Sequence, residues 1–266
     1  MKVQLVVADL DGSIVETGKP LSEENTKAVR YLHEKGIKFG IASGRNLFDI
    51  TRNPERWGLD FDFDIYIGMN GSEVYDTASK KRIDSYKLSS EDLKEIIARM
   101  KPMNLNPFIY YRDGMMMKQQ DAAALSSAHR NDMKLYIVED ESKMWQEENA
   151  KILFRCDPKD CQRIFDFAKS ISTDRYKAVR TSPMMIEFVH PLVNKATGLI
   201  SYCKANNIPM EEVVAFGDTT NDNEMVECCH GVCLANGTDD TKALAKEITE
   251  RTCREDGFAE WVFKNI

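Results

Sequence analysis

The chain alternates apolar strands with helices at both of its ends, and the middle of the chain breaks this alternation. Near the start, the pattern predicts a strand over 3–8, a helix over 22–35, a strand over 37–42, a helix over 46–57 and a strand over 64–68. Near the end, it predicts a helix over 195–206, a strand over 212–216, a helix over 222–228 and a strand over 231–235. Short connections between alternating elements favour an α/β fold with a doubly wound, parallel, Rossmann-like core sheet.

The middle of the chain instead has the pattern of an α+β domain. It predicts helices over 89–101 and 158–171, strands over 108–112 and 115–118 that flank an Asp-Gly turn, and strands over 152–156, 176–182 and 184–189. We therefore predict a core domain from 1–82 and 190–266, with an inserted domain over 83–189 of ordinary domain size.

Composition excludes several classes of function. The net charge of −7 leaves no basic excess to neutralise the phosphates of a nucleic acid. No apolar run approaches the roughly 20 residues that span a bilayer. The seven cysteines form no Cys-x-x-Cys pair, which favours reduced, mostly buried thiols over a zinc site. We expect a cytoplasmic protein, as a monomer or small homo-oligomer.

The strongest chemical signal is the segment Asp9-Leu10-Asp11-Gly12-Ser13, directly after the first strand. In an extended chain, residues two apart point the same way, so Asp9 and Asp11 can share one pocket. Such a pocket falls at the carboxyl end of a parallel strand, where open α/β sheets bind ligands. Two adjacent carboxylates repel each other unless a cation relieves the repulsion. Mg²⁺ could do this, because it prefers oxygen ligands. An ordinary Asp-Gly turn is the alternative interpretation of this segment.

A second acidic pair, Asp218 and Asp222, follows the predicted strand over 212–216. Each residue alone could be a helix cap, but capping does not explain why acid pairs follow two separate strands. We expect both strands to deliver carboxylates to one edge of the sheet.

Two further features fit a phosphate group. Ser43-Gly44-Arg45 lies between a strand and a helix, where a hydroxyl and backbone N–H groups can bind phosphate. Lys195 begins a helix against the usual preference of the helix dipole, and its ammonium could neutralise Asp9 and bind a phosphate oxygen. A serine cap and a solvated lysine are the alternatives.

These four segments, in this order, resemble the motifs of the haloacid dehalogenase superfamily of phosphohydrolases. The form Gly217-Asp218-x-x-Asn221-Asp222 and the large insertion resemble its Cof-like branch of sugar phosphatases, which has a C2B cap domain. Ala196 stands after Lys195 where the family often has glycine.

The resemblance implies the catalytic roles. Asp9 would attack phosphorus and become a phosphoaspartate. Asp11 would protonate the leaving group and then activate water. Mg²⁺ would be bound by the carboxylates of Asp9 and Asp218 and by the backbone carbonyl of Asp11.

It also implies the binding roles. Ser43, Gly44, Lys195 and Asn221 would bind the phosphate of a small phosphorylated metabolite, and Asp222 would support Lys195 or metal-bound water. The inserted domain would be a cap that closes over the site. A phosphomutase of the phosphomannomutase type and a non-catalytic phosphosugar sensor remain alternatives to a sugar phosphatase.

Overall fold

The computed structural model describes residues 2–266, which divide into two compact units. One unit runs up to Asp84 and resumes at Asn194–Ile266, and the other is Ser85–Val193. These boundaries lie two and four residues beyond the predicted ones. The earlier boundary moves because residues 81–84 pair as a strand with the first unit.

The first part of the chain contains five strands and three helices. They are β1 (Leu5–Asp9), α1 (Glu23–Glu34), β2 (Lys38–Ala42), α2 (Leu47–Ile50), α3 (Asn53–Arg56), β3 (Ile65–Gly68), β4 (Glu73–Asp76) and β5 (Lys81–Asp84). The three predicted strands and the first helix are confirmed. The single helix predicted over 46–57 is wrong, because two short helices occupy it and Pro54, in the first turn of the second, has no N–H to continue a helix.

The second unit contains six strands and three helices. They are α4 (Ser90–Met100), β6 (Pro107–Tyr111), β7 (Gly114–Met117), α5 (Ala122–Arg130), β8 (Lys134–Ile137), β9 (Lys151–Arg155), α6 (Cys161–Ser170), β10 (Lys177–Ser182) and β11 (Met185–Val189). The strands form one sheet in the order β10-β11-β9-β6-β7-β8, and only the β7–β8 pair is parallel. The predicted hairpin at Asp113-Gly114 is confirmed, whereas α5 and β8 were not predicted.

The last part of the chain completes the first unit. Its elements are α7 (Lys195–Ala205), β12 (Val213–Gly217), α8 (Asn223–Glu227), β13 (His230–Cys233), α9 (Asp239–Leu244), β14 (Glu247–Ile248) and α10 (Gly257–Asn265). The sheet order is β14-β13-β12-β1-β2-β3-β4-β5, parallel from β14 to β3 and antiparallel at β4 and β5. The predicted doubly wound α/β sheet is therefore confirmed.

Alternate residues of β1 pack on opposite faces of this sheet. Val6 and Ala8 belong to a core with α1 and α10. Leu5 and Val7 belong to a core with α7 and α8. Because β1 is buried on both faces, its sequence is almost continuously apolar, as in other central parallel strands.

The seven cysteines are free thiols, and all except Cys228 are buried, as predicted. Among the described residues, no helix combines the length and the apolar character needed to cross a membrane.

Candidate active site

The predicted site residues follow the carboxyl ends of three neighbouring strands. Asp9 ends β1, Ser43 follows β2 and Asp218 follows β12. Strand β1 lies between β2 and β12. The chain adds β2 and β3 on one side of β1 and later adds β12, β13 and β14 on the other side, so the strand order reverses at β1. This reversal is the topological switch point at which open α/β sheets bind ligands.

Lys195 lies at the centre of the site and is completely buried. Its Nζ donates hydrogen bonds to Asp9 Oδ1 and, at 2.5 Å, to Asp222 Oδ1. Burial lowers the pKa of Lys195, but the carboxylates of Asp222 and Asp9 outweigh burial and the net pKa is raised. The ammonium therefore stays protonated, and the solvated-lysine alternative is wrong.

Asp222 is a buried support for this lysine. Its Oδ2 accepts hydrogen bonds from the backbone N–H groups of Asp218 at 3.0 Å and Thr219 at 3.1 Å. An added Cβ at Gly217 would lie 2.4 Å from the Cβ of Asp222, so the close approach of these residues requires glycine. Both oxygens of Asp222 are thus engaged, one by Lys195 and the other by the backbone, and its supporting role stays a prediction.

Asp9, Asp218 and Asp222 form a buried group whose carboxylate oxygens lie within 4.8 Å of one another. Ser13 Oγ donates to Asp218 Oδ1 at 2.8 Å. Burial raises the pKa of Asp218 to about 6, although the Ser13 hydrogen bond opposes this shift. Burial and then the Asp222 charge raise the pKa of Asp9 well above its ordinary value, against the influence of Lys195.

These observations fit a divalent cation. The donors are all oxygens, the set that Mg²⁺ prefers. One lysine compensates three buried carboxylates, and the pKa values of Asp9 and Asp218 are raised by burial first and then by the charge of Asp222. A cation beside Asp9 and Asp218 would relieve that repulsion.

Asp11 lies outside this group among the described residues. Strand β1 ends at Asp9, and Gly12 turns the chain with a φ of 102°. Arg45 binds the Asp11 carboxylate with two hydrogen bonds, from Nη2 to Oδ1 at 2.6 Å and from Nε to Oδ2 at 2.9 Å. Arg45 therefore holds the Asp11 carboxylate, and a pocket shared by Asp9 and Asp11 stays a prediction.

The remaining predicted binding residues are placed differently from one another. Ser43 is buried, and its Oγ accepts a hydrogen bond from Arg45 N at 3.2 Å. Gly44 follows it in the loop before α2, whose cap is Asn46, so the serine-cap alternative is wrong. Asn221 is exposed, and its side chain accepts a hydrogen bond from the Thr219 hydroxyl, so its phosphate-binding role stays a prediction.

Sequence reasoning assigned no role to two residues that contact the predicted ones. Arg45 holds Asp11, and Ser13 holds Asp218. The signal was present in both motifs, since each residue stands within two positions of a predicted one. The sequence does not show which residue each one contacts, because Asp11 lies 34 residues from Arg45 and Asp218 lies 205 residues from Ser13.

Fold and site together define a Rossmann-like α/β protein with buried carboxylates and one buried lysine at the switch point of its sheet. The family model of the haloacid dehalogenase-like hydrolases matches residues 6–262. The chain belongs to this family, which confirms the predicted resemblance to its Cof-like phosphohydrolases.

Relatives and solved structures agree with this assignment. The chain is 26% identical to the 5-amino-6-(5-phospho-D-ribitylamino)uracil phosphatase YcsE of Bacillus subtilis, over 97% of this chain and 94% of that protein. Its fold matches a haloacid dehalogenase-like hydrolase of Bacteroides thetaiotaomicron with a TM-score of 0.90, at 24% identity over all of both chains. A Thermotoga maritima structure matches with a TM-score of 0.88, at 23% identity over 99% of this chain and 98% of that one. The protein is a phosphoric monoester hydrolase.

Proposed function

We propose that the protein is a Mg²⁺-dependent phosphatase that hydrolyses small phosphorylated metabolites, with sugar phosphates as its substrate class, through a phosphoaspartate on Asp9. The observation that carries this proposal is the buried contact of Lys195 with Asp9 beside Asp218, at the switch point of the sheet. The sugar-phosphate class rests on the resemblance to the Cof-like branch. The cytoplasmic location and the cap role of residues 85–193 also stay predictions.

The proposed reaction has two steps at Asp9. A carboxylate oxygen of Asp9 bonds to phosphorus while the bond from phosphorus to the leaving oxygen breaks, and Asp11 gives that oxygen its proton. Water then attacks phosphorus, Asp11 takes a proton from the water, and the bond from Asp9 to phosphorus breaks. Free phosphate leaves, and both carboxylates return to their starting states.

The other residues bind and hold groups during these steps. Lys195 keeps one Asp9 oxygen in place and offers positive charge to the phosphate, and Asp222 fixes the lysine. Ser43 and Gly44 are proposed to bind phosphate oxygens, as is Asn221 after a side-chain rotation. Mg²⁺ would be bound by Asp9, Asp218 and the Asp11 backbone carbonyl, and when bound it supplies positive charge that offsets the charge of the transferring phosphoryl group.

Release of phosphate from a panel of esters tests the proposal. The panel contains sugar phosphates, nucleotides, pyridoxal phosphate and the substrate named for the Bacillus subtilis relative, each with Mg²⁺ or EDTA. We expect Mg²⁺-dependent release from wild type and none from Asp9→Asn. Activity that persists in Asp9→Asn would overturn the phosphoaspartate. Transfer of phosphate to an added sugar, without net release, would instead identify a mutase.

A further inference from the structure

Asp49 is a buried carboxylate that the proposed reaction does not use. It lies on α2, and its side chain is only 2% exposed. Its Oδ2 accepts a hydrogen bond from Arg45 Nη1 at 3.2 Å, and its Oδ1 accepts one from Arg56 Nη1 at 2.7 Å. Removing a carboxylate from water costs free energy, and the charged hydrogen bonds from Arg45 and Arg56 offset that cost. The Asp49 carboxylate is therefore held between two arginines.

The backbone of Asp49 is fixed as well. Its N–H donates to the Asn46 side chain at 3.0 Å, and its carbonyl accepts from Arg56 Nη1 at 3.2 Å. Asp49 therefore presents its carboxylate to Arg45 from a position determined by neighbours on both sides.

Arg45 connects Asp49 to the proposed proton-transfer group. Its Nε and Nη2 bind the two oxygens of Asp11, while its Nη1 binds Asp49. A guanidinium group is planar, so fixing Nη1 also fixes the plane in which the other two donors lie. The charges alternate in sign along Asp11, Arg45, Asp49 and Arg56, so each ion faces an opposite one.

We propose that Asp49 is a positioning residue, which fixes Arg45 and through it the orientation of the Asp11 carboxylate. This inference rests on the proposed phosphatase function, in which Asp11 exchanges the proton. Arginine cannot give up a proton in a protein, so Arg45 orients Asp11 without taking part in proton transfer. Arg45 occupies one acceptor position on each Asp11 oxygen, which leaves other positions for the proton that Asp11 gives to the leaving oxygen and takes from water.

The substitution Asp49→Asn tests the proposal, because it keeps the size of the side chain and removes its charge. We expect kcat to fall about tenfold, the size of effect seen when a supporting hydrogen bond behind a reactive group is lost, with KM nearly unchanged. The matched control is Asp76→Asn. Asp76 is also a buried carboxylate of the first unit, but it accepts hydrogen bonds from Ala78 N and Ser79 N, and its loss should leave kcat unchanged.

A double substitution separates positioning from a general loss of packing. If Asp49 acts through Arg45, then Asp49→Asn combined with Arg45→Gln should have the kcat of Arg45→Gln alone. Losses in kcat that multiply would contradict the proposal. If Asp49→Asn fails to fold, Arg56→Gln removes the other support of the same carboxylate and should lower kcat in the same direction by a smaller factor.

A spectroscopic measurement tests the positioning independently of activity. The Nε–H of Arg45 is hydrogen-bonded to Asp11, so its NMR signal should exchange slowly with water in wild type and Asp76→Asn and faster in Asp49→Asn. The signal is assigned by its loss in Arg45→Gln. If wild type hydrolyses no ester, the proposed function fails, and this exchange rate still decides whether Asp49 fixes Arg45. If wild type is active and Asp49→Asn keeps both kcat and slow exchange, the positioning role alone is wrong.

Discussion

A buried lysine between two carboxylates governs the chemistry of the site at the scale of single residues. Lys195 has no exposed surface and binds both Asp9 and Asp222. Because its partners lie 186 and 27 residues away, folding of the whole first unit is needed to assemble the group. Both stability and activity should therefore depend on this contact.

Replacing the lysine should damage both properties. Lys195→Met leaves two buried carboxylates without their cation, and we expect a loss of about 3 kcal/mol in the free energy of unfolding, the usual cost of breaking a buried pair. Phosphate release should fall at least about a hundredfold, since a charge-stabilising donor is lost. Urea unfolding and steady-state assays measure the two effects.

The control for this substitution is Lys264→Met. Lys264 pairs with Glu250 at 2.7 Å on the exposed surface, where solvent screens the interaction. Its replacement should change neither the urea midpoint nor phosphate release. A Lys195→Met protein as stable as wild type would show that the buried pair is not needed to compensate the carboxylates.

The stability of the metal-free protein should depend on the protonation of Asp218. Its pKa is raised from 3.8 to about 6 in the folded state. The folded state thus binds this proton more tightly than the unfolded state, which stabilises the fold at pH below 3.8 and is lost as pH rises through about 6. In EDTA, wild type should lose stability relative to Asp218→Asn between pH 4 and pH 6.

Urea unfolding of the two proteins at several pH values measures this difference. Titrating groups that do not interact with Asp218 are common to both proteins and cancel in the comparison, whereas Asp9, whose pKa the Asp218 charge raises, does not. A wild type that gains stability relative to Asp218→Asn over the same range would reverse the inferred sign of the pKa shift.

At the scale of elements, the turn after β1 brings Gly12 against Asp218, one of the proposed metal residues. Gly12 has a φ of 102°, and an added Cβ would lie 2.5 Å from Asp218 Oδ2. Two constraints therefore meet at one position: a backbone conformation that favours glycine, and close contact with a carboxylate whose other oxygen is bound by Ser13.

Gly12→Ala should be more harmful than an ordinary substitution of a turn glycine. We expect a loss of about 2 kcal/mol or more in unfolding free energy, from backbone strain and from displacement of Asp218. Mg²⁺-dependent phosphate release should fall with it. Thermal unfolding and the apparent Mg²⁺ affinity measure these effects.

The control is Gly18→Ala, which has a similarly positive φ of 81° but nothing within 4 Å of the added Cβ. This variant should show the strain alone, about 1 kcal/mol, with an unchanged Mg²⁺ affinity. Equal Mg²⁺ affinities for the two variants would mean that Gly12 is needed only for its backbone conformation.

The elements that were predictable from sequence are those with a strong apolar pattern. Strand β1 reads LVVAD and β12 reads VVAFG, and both are completely buried. Strand β5 reads KRID and is mostly exposed at the sheet edge, so no apolar pattern marks it. A strand that is buried on both faces has a nearly continuous apolar sequence, whereas an exposed edge strand has no such pattern.

The site was predictable to the extent that its residues follow strands directly. The strand-end rule put Asp9, Ser43 and Asp218 at the edge of the sheet, and the resemblance to the family supplied their predicted roles. The position of the Asp11 side chain was not, because it depends on the turn at Gly12 and on Arg45, and neither effect is local to the strand. The exposed position of Asn221 likewise follows from the conformation of its loop rather than from its spacing.

At the scale of the whole molecule, each of the two units has its own hydrophobic core. The first unit contains two apolar clusters, one on each face of its sheet. The second unit also contains two, built from its helices and the six-stranded sheet. The proposed metal residues Asp9, Asp11 and Asp218 all belong to the first unit.

Mg²⁺ should therefore stabilise the first unit alone. At a free concentration of one hundred times Kd, bound Mg²⁺ should add about 2.7 kcal/mol to its stability. Hydrogen exchange should slow in β1, β12 and α7 and remain unchanged in β9 and β11. Exchange measured by mass spectrometry, with and without Mg²⁺, checks this. Equal protection of both units would show that they unfold together.

The pairing of β1 with β12 has a consequence for synthesis of the chain on the ribosome. One edge of β1 has its partner about two hundred residues later, in residues 213–217. While the intervening 109-residue segment emerges, that edge of the sheet keeps unpaired N–H and C=O groups. Asp9 meets Asp218 only after residues 213–217 have left the ribosome, so a shorter nascent or truncated chain holds the proposed nucleophile without the rest of its site.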